Sequence, residues 1–262
     1  MNGLRVENLE SVYNKTVMAI SGVSMEVREG QIVALLGVNG AGKSTTLRAI
    51  AGLLPGDPQE ITGGWIHLQG ERIDRLPPHQ VVRRGIALVP ERDKVFESLT
   101  VWENLRTSVP RHRNGMGGFE EIYDLFPVLF ERRSQRAGLL SGGERQMLAL
   151  ARSILCQPRV LLVDEMTLGL APRIVNELLE RLTELRKRLD ASILLVEQNV
   201  AAALDVADYG YILEKGRIVF HGTPEKLRSH KDVQTFYLGL DGAGVKSYRE
   251  VKQYRRTRRW WG

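Results

Sequence analysis

The chain holds a single cysteine, Cys156, in 262 residues, so no disulfide framework can form and a reducing compartment is the natural setting. Flanked by Leu155 and Gln157, it reads as a buried structural thiol rather than a nucleophile. The sequence also lacks any run near the roughly 20 consecutive apolar residues that cross a bilayer. The start, Met1 to Arg5, passes straight into a polar alternating segment, without the apolar core of a signal peptide. The expectation is a soluble, cytoplasmic protein that meets a membrane only from outside. Histidine clusters are missing too: His112 has no partner at metal-ligand spacing, and His67 lies in a strand pattern that calls for packing or exposure. Net basic charge is missing outside one end. Lys246, Arg249, Lys252, Arg255, Arg256, Arg258 and Arg259 against Glu250 account for the whole net charge of +6, which leaves residues 1–245 neutral.

What is present is an ordinary globular composition, 43% hydrophobic and 26% charged, at a length that buries a real core. Val23, Met25 and Val27 alternate with Ser24, Glu26 and Arg28 as in a half-exposed strand, and Glu29-Gly30 reads as a turn. Ile32 to Leu36 is continuously apolar, as in a strand covered on both faces. A glycine-rich loop follows, then a helix from Gly42 to about Leu53. Strands are expected at 64–69, 85–89, 160–163 and 193–196, with a strand pair around Gly216. Helices are expected at 143–155, 172–189 and 200–207. Between about Glu91 and Leu140, Pro110, Gly115, Gly117 and Gly118 interrupt helical patterns, which reads as a mainly helical insertion. Strands alternating with helices predict an α/β fold with a parallel sheet flanked by helices.

Three clusters carry chemistry. Gly37-Val38-Asn39-Gly40-Ala41-Gly42-Lys43-Ser44, followed by Thr45, matches G-x-x-x-x-G-K-[ST] between a buried strand and a helix. Glycines let successive backbone N–H groups turn inward onto phosphate oxygens, and the helix N-terminus adds a favourable dipole. Lys43 then reaches the β- and γ-phosphates of ATP and Ser44 offers its hydroxyl to Mg²⁺. Val160 to Val163 is an apolar strand tipped by Asp164 and Glu165. Asp164 suits Mg²⁺, and Glu165 suits orienting and deprotonating a water. Leu140-Ser141-Gly142-Gly143-Glu144 has the pattern of a capping box from Ser141 to Glu144, and its glycines also suit an anion.

Together these motifs resemble the ATP-binding-cassette ATPases over about residues 4 to 240, and 241–262 stands apart as a basic tail. The resemblance implies a P-loop NTPase core, an antiparallel β subdomain and an inserted helical subdomain. Leu140–Glu144 looks like the family signature, with Glu144 in its last place. It implies a second cassette, identical or not, in a head-to-tail dimer, where Ser141, Gly142, Gly143 and Glu144 meet the γ-phosphate held by the other subunit. Tyr13, about 24 residues before the loop, stands where the family stacks an aromatic on adenine. Two switch positions depart from the common pattern. Glu91, after Val89-Pro90, replaces a glutamine that approaches Mg²⁺ and water, and Gln198, after Val196-Glu197, replaces a histidine. With Leu99-Thr100-Val101, Glu103-Asn104-Leu105, Leu168–Pro172 and Gln198-Asn199, they resemble the shorter ATPase subunit of bacterial branched-chain amino-acid importers. Met166, Thr167 and Arg145 differ from that subgroup. The resemblance implies two transmembrane permease subunits, docked through a groove near Glu91, an associated solute-binding protein, and a peripheral place on the cytoplasmic side of the inner membrane.

Alternatives stay open at this stage. A non-transport cassette ATPase of translation or DNA maintenance commonly carries two cassettes or a coiled insertion, neither of which is seen. A nucleotide-binding module that hydrolyses poorly is the third reading. The tail, ending Arg255-Arg256-Thr257-Arg258-Arg259-Trp260-Trp261, suits anionic lipid, a solvated end, or nucleic-acid phosphates. Nucleic acid is the partner least expected. The run Arg181 to Arg188 reads as a solvated helix face.

Overall fold

A computed structural model describes residues 3–14, 16–54, 59–92, 94–109, 118–189 and 191–238. The chain opens with a hairpin of β1 (Gly3–Tyr13) and β2 (Val17–Arg28), then β3 (Ile32–Leu36) and α1 (Lys43–Ile50). Strands β4 (Gln59–Leu68) and β5 (Glu71–Arg72) and helix α2 (Pro78–Arg83) lead into β6 (Ile86–Val89). Helices α3 (Val101–Arg106), α4 (Phe119–Leu125) and α5 (Pro127–Glu131) and a 3-10 turn at Ala137–Leu139 follow. The remainder runs α6 (Gly142–Leu155), β7 (Val160–Asp164), α7 (Pro172–Leu189), β8 (Ser192–Glu197) and α8 (Val200–Val206). It closes with β9 (Tyr209–Glu214), β10 (Arg217–Gly222), α9 (Pro224–Ser229) and α10 (Lys231–Phe236).

Two sheets result. One is antiparallel in the order β2-β1-β4-β5; the other has six strands in the order β10-β9-β3-β8-β7-β6, parallel except where β10 joins β9. The apolar runs explain the second sheet, because alternate residues of each central strand enter two different cores. Ile32, Ala34, Leu36, Leu161, Val163, Ile193 and Leu195 face the core shared with the helices, including those of the insertion. Val33, Leu35, Val160, Leu162, Leu194 and Val196 face the core shared with α1 and the antiparallel sheet. No strand in the middle has a solvent face. The bond from Ser21 N to Gly216 O, at 2.8 Å, joins the hairpin to the turn between β9 and β10.

The sequence reading shortened β4, which starts at Gln59 rather than Gly64. Gly63 and Gly64 look like a terminator but accommodate an irregularity, with a register shift between Glu7 and Glu10 on β1. Gly64 adopts φ 82°, and a Cβ there would lie 2.4 Å from the carbonyl oxygens of Glu7 and Asn8. The arginine run on α7 is not simply solvated. Arg186 pairs with Asp208 at 2.6 Å, and Asp208 also accepts from Ile32 N at 2.8 Å. Cys156 is half-buried, its thiol near Ser108 O and its pKa pushed up by burial. His112, Pro110, Gly115 and Gly117, and the tail 241–262, lie outside the described residues. Among the described residues no helix is long and apolar enough to cross a membrane.

Truncation of Leu162, which is fully buried, to alanine is expected to cost about 2–5 kcal/mol, against at most about 0.5 kcal/mol for Val17→Ala on the exposed hairpin. Urea unfolding of both variants checks this, and equal losses would contradict the two-core description.

Candidate active site

Strand order brings the chemistry together. Strand β8 lies between β3 and β7, with Leu36 opposite Glu197 and Asp164 opposite Val196, so the C-terminal ends of all three strands finish side by side. The loop from Gly37 to Gly42 leaves β3 there and enters α1 at Lys43. Gly42 caps that helix at φ 105°, where a Cβ would approach Ala19 O to 2.9 Å, so only glycine fits without displacement. Asn39 and Gly40 are exposed, Ala41 is buried with its N–H bonded to Val38 O, and Thr45 is half-buried on the first turn.

Lys43 is almost wholly buried. Its ammonium donates to Gly37 O at 2.8 Å and Val38 O at 3.2 Å, and pairs with Glu165 Oε1 at 2.9 Å. Ser44 Oγ donates to Asp164 Oδ1 at 3.1 Å. Thus the loop and the acidic strand tip are joined twice, by one ion pair and one hydroxyl bond. Burial pushes the Asp164 carboxyl up to about 6; the Ser44 bond and Lys43 pull it down, and the charges of Glu165 and Glu91 push it up. Glu165 adopts φ 42°, a left-handed conformation that costs a non-glycine residue on the order of 1 kcal/mol. Its N–H bonds to Val196 O at 2.9 Å, which holds it against β8.

The two switch residues flank this centre. Glu91 follows β6, bonds to Arg92 at 3.2 Å, and lies near enough to raise the Asp164 carboxyl. The segment after it is anchored in the insertion: Lys94 donates to Gln146 Oε1 on α6, and Arg152 donates to Lys94 O at 2.7 Å. Burial lowers the pKa of Lys94, which the Glu91 charge partly offsets. Gln198 is exposed just past β8, on a cavity of about 360 Å³ shared with Glu165 and Glu197.

Residues 20–168 match the family model described as ABC transporter. The chain belongs to the ABC transporter family. It is 43% identical over 240 residues to the high-affinity branched-chain amino acid transport ATP-binding protein BraG of Pseudomonas aeruginosa, covering 87% of this chain and 97% of that one. It is 35% identical to the lipopolysaccharide export system ATP-binding protein LptB of Haemophilus influenzae, over 91% and 98% of the two chains. A solved structure of an ATP-binding subunit of an ABC transporter superposes with a TM-score of 0.75 at 31% identity, covering 91% and 97% of the two chains.

In this ABC ATPase the Leu140–Glu144 turn stands at the head of α6. Ser141 Oγ accepts from Glu144 N at 3.3 Å and Glu144 Oε2 accepts from Ser141 N at 2.7 Å, which is the capping box read from the sequence. Arg132 adds a 2.5 Å bond to the other Glu144 oxygen. Burial pushes the Glu144 carboxyl up, but the Ser141 and Arg132 bonds outweigh it and hold it below the usual carboxylate range. Ser141 and Gly142 are exposed, and Gly143 is buried against Ile174. No hydrogen bond or ion pair links this turn to Gly37–Ser44 among the described residues. Tyr13 is exposed at the end of β1 opposite Val17, two residues from the Ala19 carbonyl that abuts Gly42. The hairpin therefore carries it to the rim of the loop.

Sequence reading passed over one buried group. Glu197 accepts from Thr167 N at 3.1 Å and from Thr167 Oγ1 at 2.6 Å, and is 2% exposed. The one local signal was an acid ending a strand of otherwise buried residues. Burial pushes its carboxyl up to about 7; the Thr167 bonds pull down and the Glu165 charge pushes up. Because this pKa is above the ordinary 4.5, stability from the protonated form is complete below pH 4.5 and lost as pH rises through about 7. Thermal unfolding of Glu197→Gln is therefore expected to show a Tm gain over wild type that grows from pH 5 to pH 8; a gain independent of pH would contradict the assignment.

Proposed function

We propose that this ATPase powers an importer of branched-chain or closely related amino acids, with Gly37–Ser44 holding the ATP phosphates and Glu165 activating the attacking water. The observation that carries the hydrolytic part is the Lys43–Glu165 pair at 2.9 Å, which puts the phosphate-binding cation and the candidate base in one buried contact. ATP phosphates compete with Glu165 for the Lys43 ammonium. Binding therefore both fills the loop and frees a carboxylate to take a proton from water. Tyr13 at the rim offers a face for adenine.

The oxygens of Ser44 and Asp164 are hard donors at the foot of the phosphate loop, which suits Mg²⁺, with Glu91 close by. Bound there, Mg²⁺ supplies charge neutralisation at the β- and γ-phosphates. Gln198 donates a hydrogen bond toward the γ-phosphate without carrying a proton.

The Ser141–Glu144 turn, exposed at Ser141 and Gly142, completes the site of a second cassette, identical or not, in a head-to-tail dimer. The exposure of Ser141 and Gly142 supports this reading. A cavity of about 420 Å³ lined by Leu53, Val81, Val82, Leu88, Pro90 and Lys94 adjoins Glu91 and suits a segment of a membrane permease. Two such permeases and a solute-binding protein complete the importer, with this subunit peripheral at the cytoplasmic face. The identity to BraG and the resemblance of the two switch positions favour import over the export suggested by LptB. The cassette spans 1–240, and the insertion at about 91–140, beside that cavity, transmits its state to the permeases.

Glu165→Gln is expected to lower ATP turnover at least about 100-fold while the variant still binds ATP. Steady-state phosphate release measures it, and equal, negligible turnover in wild type and variant would instead mark a nucleotide-binding module.

A further inference from the structure

Glu197 is a buried carboxylate at the foot of the cavity that Glu165 and Gln198 also line, and the ATPase reading gives it no role. It ends β8, the strand between β3 and β7, and stands opposite Leu36, the residue before Gly37. Each of its oxygens accepts from Thr167, Oε1 from the backbone N–H and Oε2 from Oγ1, and the Gln198 backbone also bonds to the carboxylate. Thr167 lies two residues past Glu165, in the turn that carries the chain from the acidic strand tip toward α7. On either side of Thr167 the turn is held by the buried side chain of Met166 and by Glu165 N bonded to Val196 O, and beyond it by local backbone bonds. Leu168 N reaches Glu165 O at 3.4 Å, Leu170 N reaches Thr167 O at 3.2 Å, and Leu168 is 55% exposed. Meanwhile Glu165 is held at φ 42°, a conformation that persists only when its surroundings enforce it.

We propose that Glu197 is a positioning residue of the ATPase reaction: by clamping Thr167 with two hydrogen bonds it holds the turn that aims Glu165. The proposal rests on Glu165 being the base. The clamp bridges the two strand ends on which the site is built, and leaving its buried donors unpaired would cost more than the bonds themselves contribute. A serine or threonine hydroxyl at position 167 supplies the second donor, and its N–H supplies the first. The charged group facing Glu197 is Glu165, itself paired with Lys43; Asn176, Gln198 and Asn199 on the same cavity are neutral. The turn also carries Leu170, whose Cδ2 would lie 3.2 Å from a Cβ on Gly142, so its placement is felt at the start of α6.

Three variants test this in the full chain with Mg-ATP: Glu197→Ala, Glu197→Gln and Thr167→Val. Glu197→Ala is expected to lower kcat about 10-fold or more with KM for ATP within about 2-fold, as for an interaction felt only in the chemical step. Glu197→Gln keeps an acceptor for the Thr167 N–H, and is expected to restore kcat to within about 3-fold of wild type. Thr167→Val removes one of the two bonds and is expected to fall between them. Hydrogen exchange of nucleotide-free protein gives a readout independent of hydrolysis. The Thr167 amide should exchange about 10-fold faster in Glu197→Ala than in wild type. A folded Glu197→Ala with kcat within 2-fold of wild type, or an equal loss in kcat and ATP affinity, would overturn the proposal. If Glu197→Ala fails to fold, wild-type kcat in Thr167→Val overturns it. Should wild type itself lack turnover, the ATPase reading fails while the exchange comparison still decides whether the clamp exists.

Discussion

The buried ion pair between Lys43 and Glu165 is the contact on which the arrangement of this cassette turns. Charges this far from solvent attract strongly, but each alone would be costly to keep there, so the pair and the two loop carbonyls on Lys43 must be satisfied together. That requires a glycine loop tight enough to fold the lysine back over itself and a strand tip that ends at the same level. Both follow from three adjacent apolar strands whose alternate side chains enter two separate cores. The site is thus set by the sheet.

Local signals in the sequence reached the elements whose chemistry is written in short spacings. The phosphate loop, the acids at 164 and 165 and the capping box at 141 and 144 lie within eight residues or fewer, and each was legible. What escaped depends on contacts between distant segments. Thr167 and Glu197 are 30 residues apart, and Lys94 and Gln146 are 52 apart. No periodicity signals such a pair before the strands are ordered. The early start of β4 escaped for a different reason, since Gly63-Gly64 carries the same residues as a turn but here fits close backbone approach to β1. The aromatic Tyr13 was placed by resemblance, and its position beside the loop follows from the hairpin register.

The departure at Glu91 gains a physical context. Glu91 adds a negative charge beside Asp164, whose carboxyl is already raised by burial, and Lys94 returns a buried positive charge near Glu91. Lys94 is in turn held by α6, the helix that begins at the Ser141–Glu144 turn. An acid at this switch is therefore compensated within the same segment, through a contact that reaches the helix capped by Ser141.

The central claim is that ATP and Glu165 compete for one ammonium. Equilibrium titration of wild-type and Glu165→Gln protein with ATP and Mg²⁺ tests it most directly. The account predicts that the variant, freed of its anionic competitor, binds ATP several-fold more tightly than wild type. Equal or weaker binding by a folded variant would contradict it.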